Sequence, residues 1–114
     1  MPTYNRAFCI ENAINSLLTQ QYYNYELIII DDGSSDNTEN LIKEKYSKEI
    51  DSGKIIYKKL TQNAGVCNAR NIGLATAKYP WIGYLDSDNE QTEDFLTTFS
   101  NAIVQNPRKK MLLR

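Results

Sequence analysis

Glu26-Leu27-Ile28-Ile29-Ile30-Asp31-Asp32-Gly33-Ser34-Ser35-Asp36 is the stretch that decides the fold. Its first five residues are mostly apolar and β-branched, as in a short strand covered on both faces. The acids, glycine and serines that follow break the strand. Ser35 or Asp36 is placed to cap a helix, because Asp36 and Glu39 have capping-box-like spacing, and Leu41, Ile42 and Tyr46 supply its inner face. On the other side, Ile10, Ala13, Ile14, Leu17 and Leu18 fall on one helical stripe. That spacing predicts a helix over about residues 7–20, with Asn5 as its N-cap. Tyr22, Tyr23 and Tyr25, between helix and strand, read as a packed loop rather than a sugar platform.

Further along, Ser52-Gly53 turns the chain into a second strand over 54–58. A polar loop at 61–65 leads to a third helix over about 66–76, with Ala69, Ile72, Gly73 and Ala77 as a small-residue face. Pro80 ends it, and Trp81-Ile82-Gly83-Tyr84-Leu85 reads as a third strand closed by Asp86-Ser87-Asp88-Asn89. Thr92 then caps a fourth helix, with Phe95, Leu96, Phe99, Ala102 and Ile103 inside, which stops before Pro107. Helices alternating with strands predict an α/β fold: a mostly parallel sheet with right-handed crossovers and flanking helices. Met1-Pro2-Thr3-Tyr4-Asn5 resembles the end of a strand whose body is missing. Since the first strand of such sheets usually lies centrally, the N-terminus is expected to be incomplete.

Composition narrows the chemistry. The chain has 114 residues, 41% of them hydrophobic, enough for one domain or part of one. With no His, it can form no Ser-His-Asp triad, Cys-His dyad or His-bearing zinc site. Thirteen basic and 14 acidic residues leave a net charge of −1, and no basic cluster exceeds Arg108-Lys109-Lys110, which argues against a nucleic-acid face. No apolar run is long enough to span a bilayer or to act as a signal peptide. Cys9 and Cys67 lack any C-x-x-C spacing and read as reduced, small buried hydrophobes. No N-x-[ST] sequon occurs, and the expected location is the cytoplasm or the inner face of the membrane.

In open α/β sheets, ligands bind beyond the carboxyl ends of the strands. Thr3-Tyr4-Asn5, Asp31–Asp36 and Asp86–Asn89 all fall there, and the loop with Asn63 and the helix turns with Asn68 and Arg70 can approach the same crevice. Asp86-Ser87-Asp88 offers two hard-oxygen ligands for Mg²⁺ or Mn²⁺; alone, it reads rather as a capping turn. Asp31-Asp32 beside Gly33 can accept hydrogen bonds from a base or ribose, or can cap backbone amides. Arg70 is either a surface group or a partner for acidic groups in the crevice. Neither G-x-G-x-x-G nor G-x-x-x-x-G-K-[ST] is present, which removes support for dinucleotide cofactors and P-loop chemistry.

Taken together, Pro2-Thr3-Tyr4-Asn5, Ile30-Asp31-Asp32-Gly33-Ser34-Ser35-Asp36, Asn63-Ala64-Gly65 through Ala69-Arg70-Asn71-Ile72-Gly73, and Tyr84-Leu85-Asp86-Ser87-Asp88 closely resemble the family 2 glycosyltransferases. The order and spacing match across essentially the whole chain. The resemblance implies a Rossmann-like GT-A half that binds a nucleotide-sugar, with a UDP-sugar as the most frequent donor. It also implies inverting transfer of the sugar to a glycan or lipid-linked acceptor hydroxyl, as in surface-polysaccharide synthesis. By the same resemblance, Thr3 and Tyr4 flank the base, Asp32 with Asp31 nearby binds its edge, and Arg70 helps hold the nucleotide. Asp86 faces the ribose, and Asp88 holds a Mg²⁺ or Mn²⁺ ion at the diphosphate. Asn89 departs from the further Asp of many relatives. The family's catalytic base is expected beyond Arg114, so these 114 residues are expected to bind nucleotide without transferring sugar. Two other readings remain: a non-catalytic nucleotide-binding scaffold module, and a nucleotidyltransferase. The second expects a glycine- and basic-rich loop where this chain has Pro2-Thr3-Tyr4-Asn5-Arg6. A phospho-acceptor signalling domain would need a Lys in a later turn, and none is suitably placed.

Overall fold

Strand β2, Leu27–Asp31, is the centre of a three-stranded parallel sheet. It pairs on one side with β1, Pro2–Thr3, and on the other with β3, Ile55–Lys59. The computed structural model describes residues 1–20, 25–78, 82–83, 85, 87 and 112–113. Among these, β1 is an edge of its sheet rather than the centre, and β4, Ile82–Gly83, pairs in parallel with β5, Leu112–Leu113, as a separate ladder. The expected strand at 81–85 is represented by β4, while the helix expected after Thr92 lies outside the described residues.

The side chains of β2 alternate between two layers. Leu27 and Ile29 join Ile10, Ile14 and Leu17 of α1 (Ile10–Leu18), Ile42 of α2 (Thr38–Lys45), Tyr46 and Ile55 in one buried cluster. Ile30 faces the other way, toward α4 (Val66–Thr76), where the position of a Gly73 Cβ falls 3.5 Å from Ile30 Cγ1. Ala69, fully buried, completes this close contact. The small-residue face read from the sequence therefore lets α4 lie directly on β1 and β2. A short helix, α3 (Ser47–Asp51), follows α2 and has no counterpart in the sequence reading. Tyr46 separates the two helices, with its ring in the core and its hydroxyl donating to Asn15 Oδ1 at 2.8 Å.

Three expectations are corrected. Helix α1 starts at Ile10, with Cys9 at the N-cap position, so Asn5 does not cap it. Arg6 O accepts from the amides of Cys9 and Ile10, so a turn fills residues 7–9. The cysteines are free as expected, but Cys67 is exposed and Cys9 half-buried, because neither points into the layers packed on the sheet. Tyr25 is packed as expected, its hydroxyl donating to Leu17 O at 3.0 Å; Tyr22 and Tyr23 lie outside the described residues.

Candidate functional site

Parallel pairing brings the carboxyl ends of β1 and β2 together, and the last bond across them runs from the Asp32 amide to Thr3 O at 2.9 Å. Beyond that bond the two chains diverge toward their helices. A cavity of about 260 Å³ opens there, lined by Pro2, Thr3, Tyr4, Arg6, Asp32, Val66, Ala69 and Ser87. This is where a parallel sheet is expected to present a ligand site.

Asp31 and Asp32 are adjacent in sequence but separate in space. Asp31 shares the parity of Leu27 and Ile29, so it turns into the α1–α2 layer and is wholly buried. Its Oδ1 accepts the Ser34 amide at 2.9 Å, and its Oδ2 accepts the Tyr57 hydroxyl. Tyr57 pairs in register with Ile29, which puts its ring on the same face, within reach of Asp31. Burial, then the hydrogen bond to Asp31 and that carboxylate's charge, holds the Tyr57 hydroxyl well above the usual tyrosine range.

Asp32 takes the opposite side. Its Oδ1 accepts the Ala64 amide and its Oδ2 the Gly65 amide, both at 2.8 Å. Gly65 is the N-cap of α4, so this carboxylate lies at the positive end of that helix as well as on the cavity wall. Gly33 lets the 60–65 loop come close. Its φ is +79°, and a Cβ there would stand 3.2 Å from both Asn63 N and Gln62 C.

Thr3 is 4% exposed, and its Oγ1 has no hydrogen-bond partner among the described residues. Tyr4 is 41% exposed. The Arg6 Nη1 donates to Tyr4 O at 3.3 Å, and its guanidinium lies 5.9 Å from the centre of the Phe8 ring. The cavity thus combines an aromatic ring, a carboxylate, a hydroxyl and a guanidinium, a set suited to a planar, hydrogen-bonding ligand that carries negative charge.

Of the residues singled out from sequence, Thr3, Tyr4 and Asp32 meet at this cavity, and Asp31 stands behind it. Arg70, half-buried, follows the cavity residue Ala69 on α4 but is not itself among the lining residues. Asp86 and Asp88 lie outside the described residues; Ser87 between them is buried and lines the cavity, and its carbonyl is 3.9 Å from Cys9 Sγ. Arg6, Val66 and the positioning contact of Tyr57 were not singled out. Tyr57 could not be found from sequence, because its place opposite Ile29 depends on the register and parity of two strands.

Comparison with known proteins is consistent with this geometry. The chain is 40% identical over 107 residues to an uncharacterized glycosyltransferase of Haemophilus influenzae, covering 93% of this chain and 41% of that protein. It is 37% identical over 91 residues to the poly-β-1,6-N-acetyl-D-glucosamine synthase of Staphylococcus aureus, covering 80% of this chain and 21% of that one. The chain therefore spans less than half the length of either relative. Among solved structures, residues 1–349 of S. aureus TarS in complex with UDP superimpose with a TM-score of 0.81 at 26% identity, over 93% of this chain and 31% of that 1–349 chain. The fold is thus the GT-A arrangement that the family resemblance implied. The sequence profile described as Glycosyl transferase family 2 matches residues 1–109, and the chain belongs to that family.

Proposed function

We propose that the cavity binds the nucleoside diphosphate of a nucleotide-sugar, a UDP-sugar in the first instance. The protein to which this domain belongs then transfers the sugar, with inversion, to a hydroxyl of a glycan or lipid-linked acceptor. The observation that carries this reading is the convergence of three segments far apart in sequence, Thr3-Tyr4, Asp32 and Ser87, on one cavity at the strand ends. The UDP complex of TarS, similar over nearly the whole chain, supports the choice of nucleotide.

In this reading Tyr4 offers its ring to the base, while Thr3 and Asp32 offer hydrogen-bonding groups to its edge. Asp31 acts from behind, because its carboxylate is wholly buried and, unlike that of Asp32, does not line the cavity. Arg70 supplies positive charge near the nucleotide, and Asp86 accepts from the ribose. The donor set also suits a divalent cation: Asp86 and Asp88 are hard-oxygen ligands on either side of Ser87, which lines the cavity. We assign Asp88 to a Mg²⁺ or Mn²⁺ ion, which when bound neutralises charge on a departing diphosphate.

Titration calorimetry with UDP, with and without Mn²⁺, tests the reading. Saturable binding is expected, lost in Asp32→Ala and made independent of Mn²⁺ in Asp88→Ala. No binding by the unsubstituted chain, or undiminished binding in Asp32→Ala, overturns it.

A further inference from the structure

The strand ladder ends at the bond from the Asp32 amide to Thr3 O, yet the cavity walls extend past it. Tyr4 and Arg6 form one wall on the β1 side, and Asp32 stands on the β2 side. Asn5 lies between Tyr4 and Arg6 and has a φ of +51°, the only positive φ among the described non-glycine residues. This left-handed conformation, which Asn tolerates better than most residues, turns its side chain toward the loop after β2.

There, Asn5 Oδ1 accepts the Ser35 amide at 2.8 Å and the Asp36 amide at 3.3 Å. The Asn5 amide donates to the buried Ser34 Oγ at 2.9 Å. Asp36 reciprocates, its Oδ2 accepting the Ala7 amide at 3.1 Å. These bonds continue the join between the two chains after the β-ladder has stopped.

We infer that Asn5 is a positioning residue for nucleotide binding: it staples the loop after β1 to the loop after β2 and so sets the spacing of Tyr4 and Arg6 against Asp32. Asn5 itself is not among the cavity-lining residues, so it acts through its neighbours. The inference rests on the nucleotide reading of the cavity. Its chemical requirement is narrow: a residue that accepts a positive φ and carries a side-chain acceptor one carbon from Cβ. Asp meets both conditions, while Gly meets only the first.

UDP affinity by calorimetry and thermal melting, measured on the unsubstituted chain, Asn5→Gly and Asn5→Asp, separate this role from simple stabilisation. Asn5→Gly is expected to bind UDP about tenfold more weakly at temperatures well below its melting point, and Asn5→Asp to stay within about threefold. If Asn5→Gly does not fold, Ser34→Ala replaces it, removing only the acceptor of the Asn5 amide, with an expected loss of about threefold. Unchanged UDP affinity in the folded Gly variant (or in Ser34→Ala where that is used), whatever the melting temperature, overturns the inference. Equal weakening in the Gly and Asp variants also overturns it. Failure of the unsubstituted chain to bind UDP removes the nucleotide reading and this inference with it, whereas a Gly variant that binds normally removes the staple alone.

Discussion

The Tyr57 hydroxyl, on β3, donates to Oδ2 of the buried Asp31 at the end of β2, directly behind the cavity. With the Ser34 amide on Oδ1, this gives each oxygen of a wholly buried carboxylate a donor. Tyr57→Phe keeps the ring and removes the donor, leaving Oδ2 buried without that partner. The expected cost is about 1–3 kcal/mol of folding stability, the usual penalty for stranding a buried polar group. Denaturant unfolding at neutral pH measures it. Wild-type stability in Tyr57→Phe would mean that Asp31 does not depend on this bond.

Tyr46, which is buried, and Tyr57, which is half-buried, also set the alkaline limit. Burial first, then the charges of Glu11 and Glu49, push the Tyr46 hydroxyl up to about 12, and Tyr57 is held higher still by burial and by Asp31. The ordinary tyrosine value is 10.0. Above it the unfolded chain has released protons that the folded chain keeps, so stability falls as pH rises. Below it both states keep their protons and the contribution is fully present. Unfolding free energy is therefore expected to decline from about pH 10 upward, with tyrosinate absorbance rising together with loss of structure. A flat profile through that window would show that these hydroxyls ionise without opening the core.

Asp32 joins the cavity wall to α4 through the amides of Ala64 and Gly65. Asn at this position keeps one acceptor but turns an NH2 group toward the second amide. Asp32→Asn is expected to lose one of the two bonds and about 1–3 kcal/mol. Amide exchange should speed up at Ala64 or Gly65 while β2 stays protected. Exchange that rises equally across β2 would instead indicate global destabilisation.

How far these features could be read in advance depended on whether their cause was local. The β-branched run before Asp31, the stripe of α1 and the small-residue face of α4 are local patterns, and each element appears where its pattern placed it, α4 with the expected bounds. Asn5 is different, because the same short amide side chain serves as an N-cap or as a left-handed linker. The partners that select the second role, Ser35 and Asp36, are 30 and 31 positions away. Helix α3 escaped notice because Ser47–Asp51 has one apolar residue, the partly buried Ile50, too few to show a period. The split of Asp31 from Asp32 was hidden for a related reason. A strand covered on both faces shows no polar–apolar alternation, so parity could be assigned only once the α1 and α4 layers were known.

Gly33 offers a final test of how closely the 60–65 loop is seated. Gly33 and Gly53 have nearly the same φ, +79° and +82°. Alanine at either position meets the left-handed penalty of about 1–2 kcal/mol. At Gly53 the new Cβ enters open space, whereas at Gly33 it meets backbone atoms of Gln62 and Asn63 at 3.2 Å, and backbone cannot swing aside as a flexible side chain can. Gly53→Ala should therefore show the conformational penalty alone. Gly33→Ala should exceed it by about 1 kcal/mol or more, the order of cost of overpacking. The displaced loop carries Ala64 and Gly65, the partners of Asp32, so Gly33→Ala should also weaken UDP binding, while Gly53→Ala should not. Equal losses of stability in the two variants, measured side by side by denaturant unfolding, would mean that the loop yields freely and does not hold Asp32 in place.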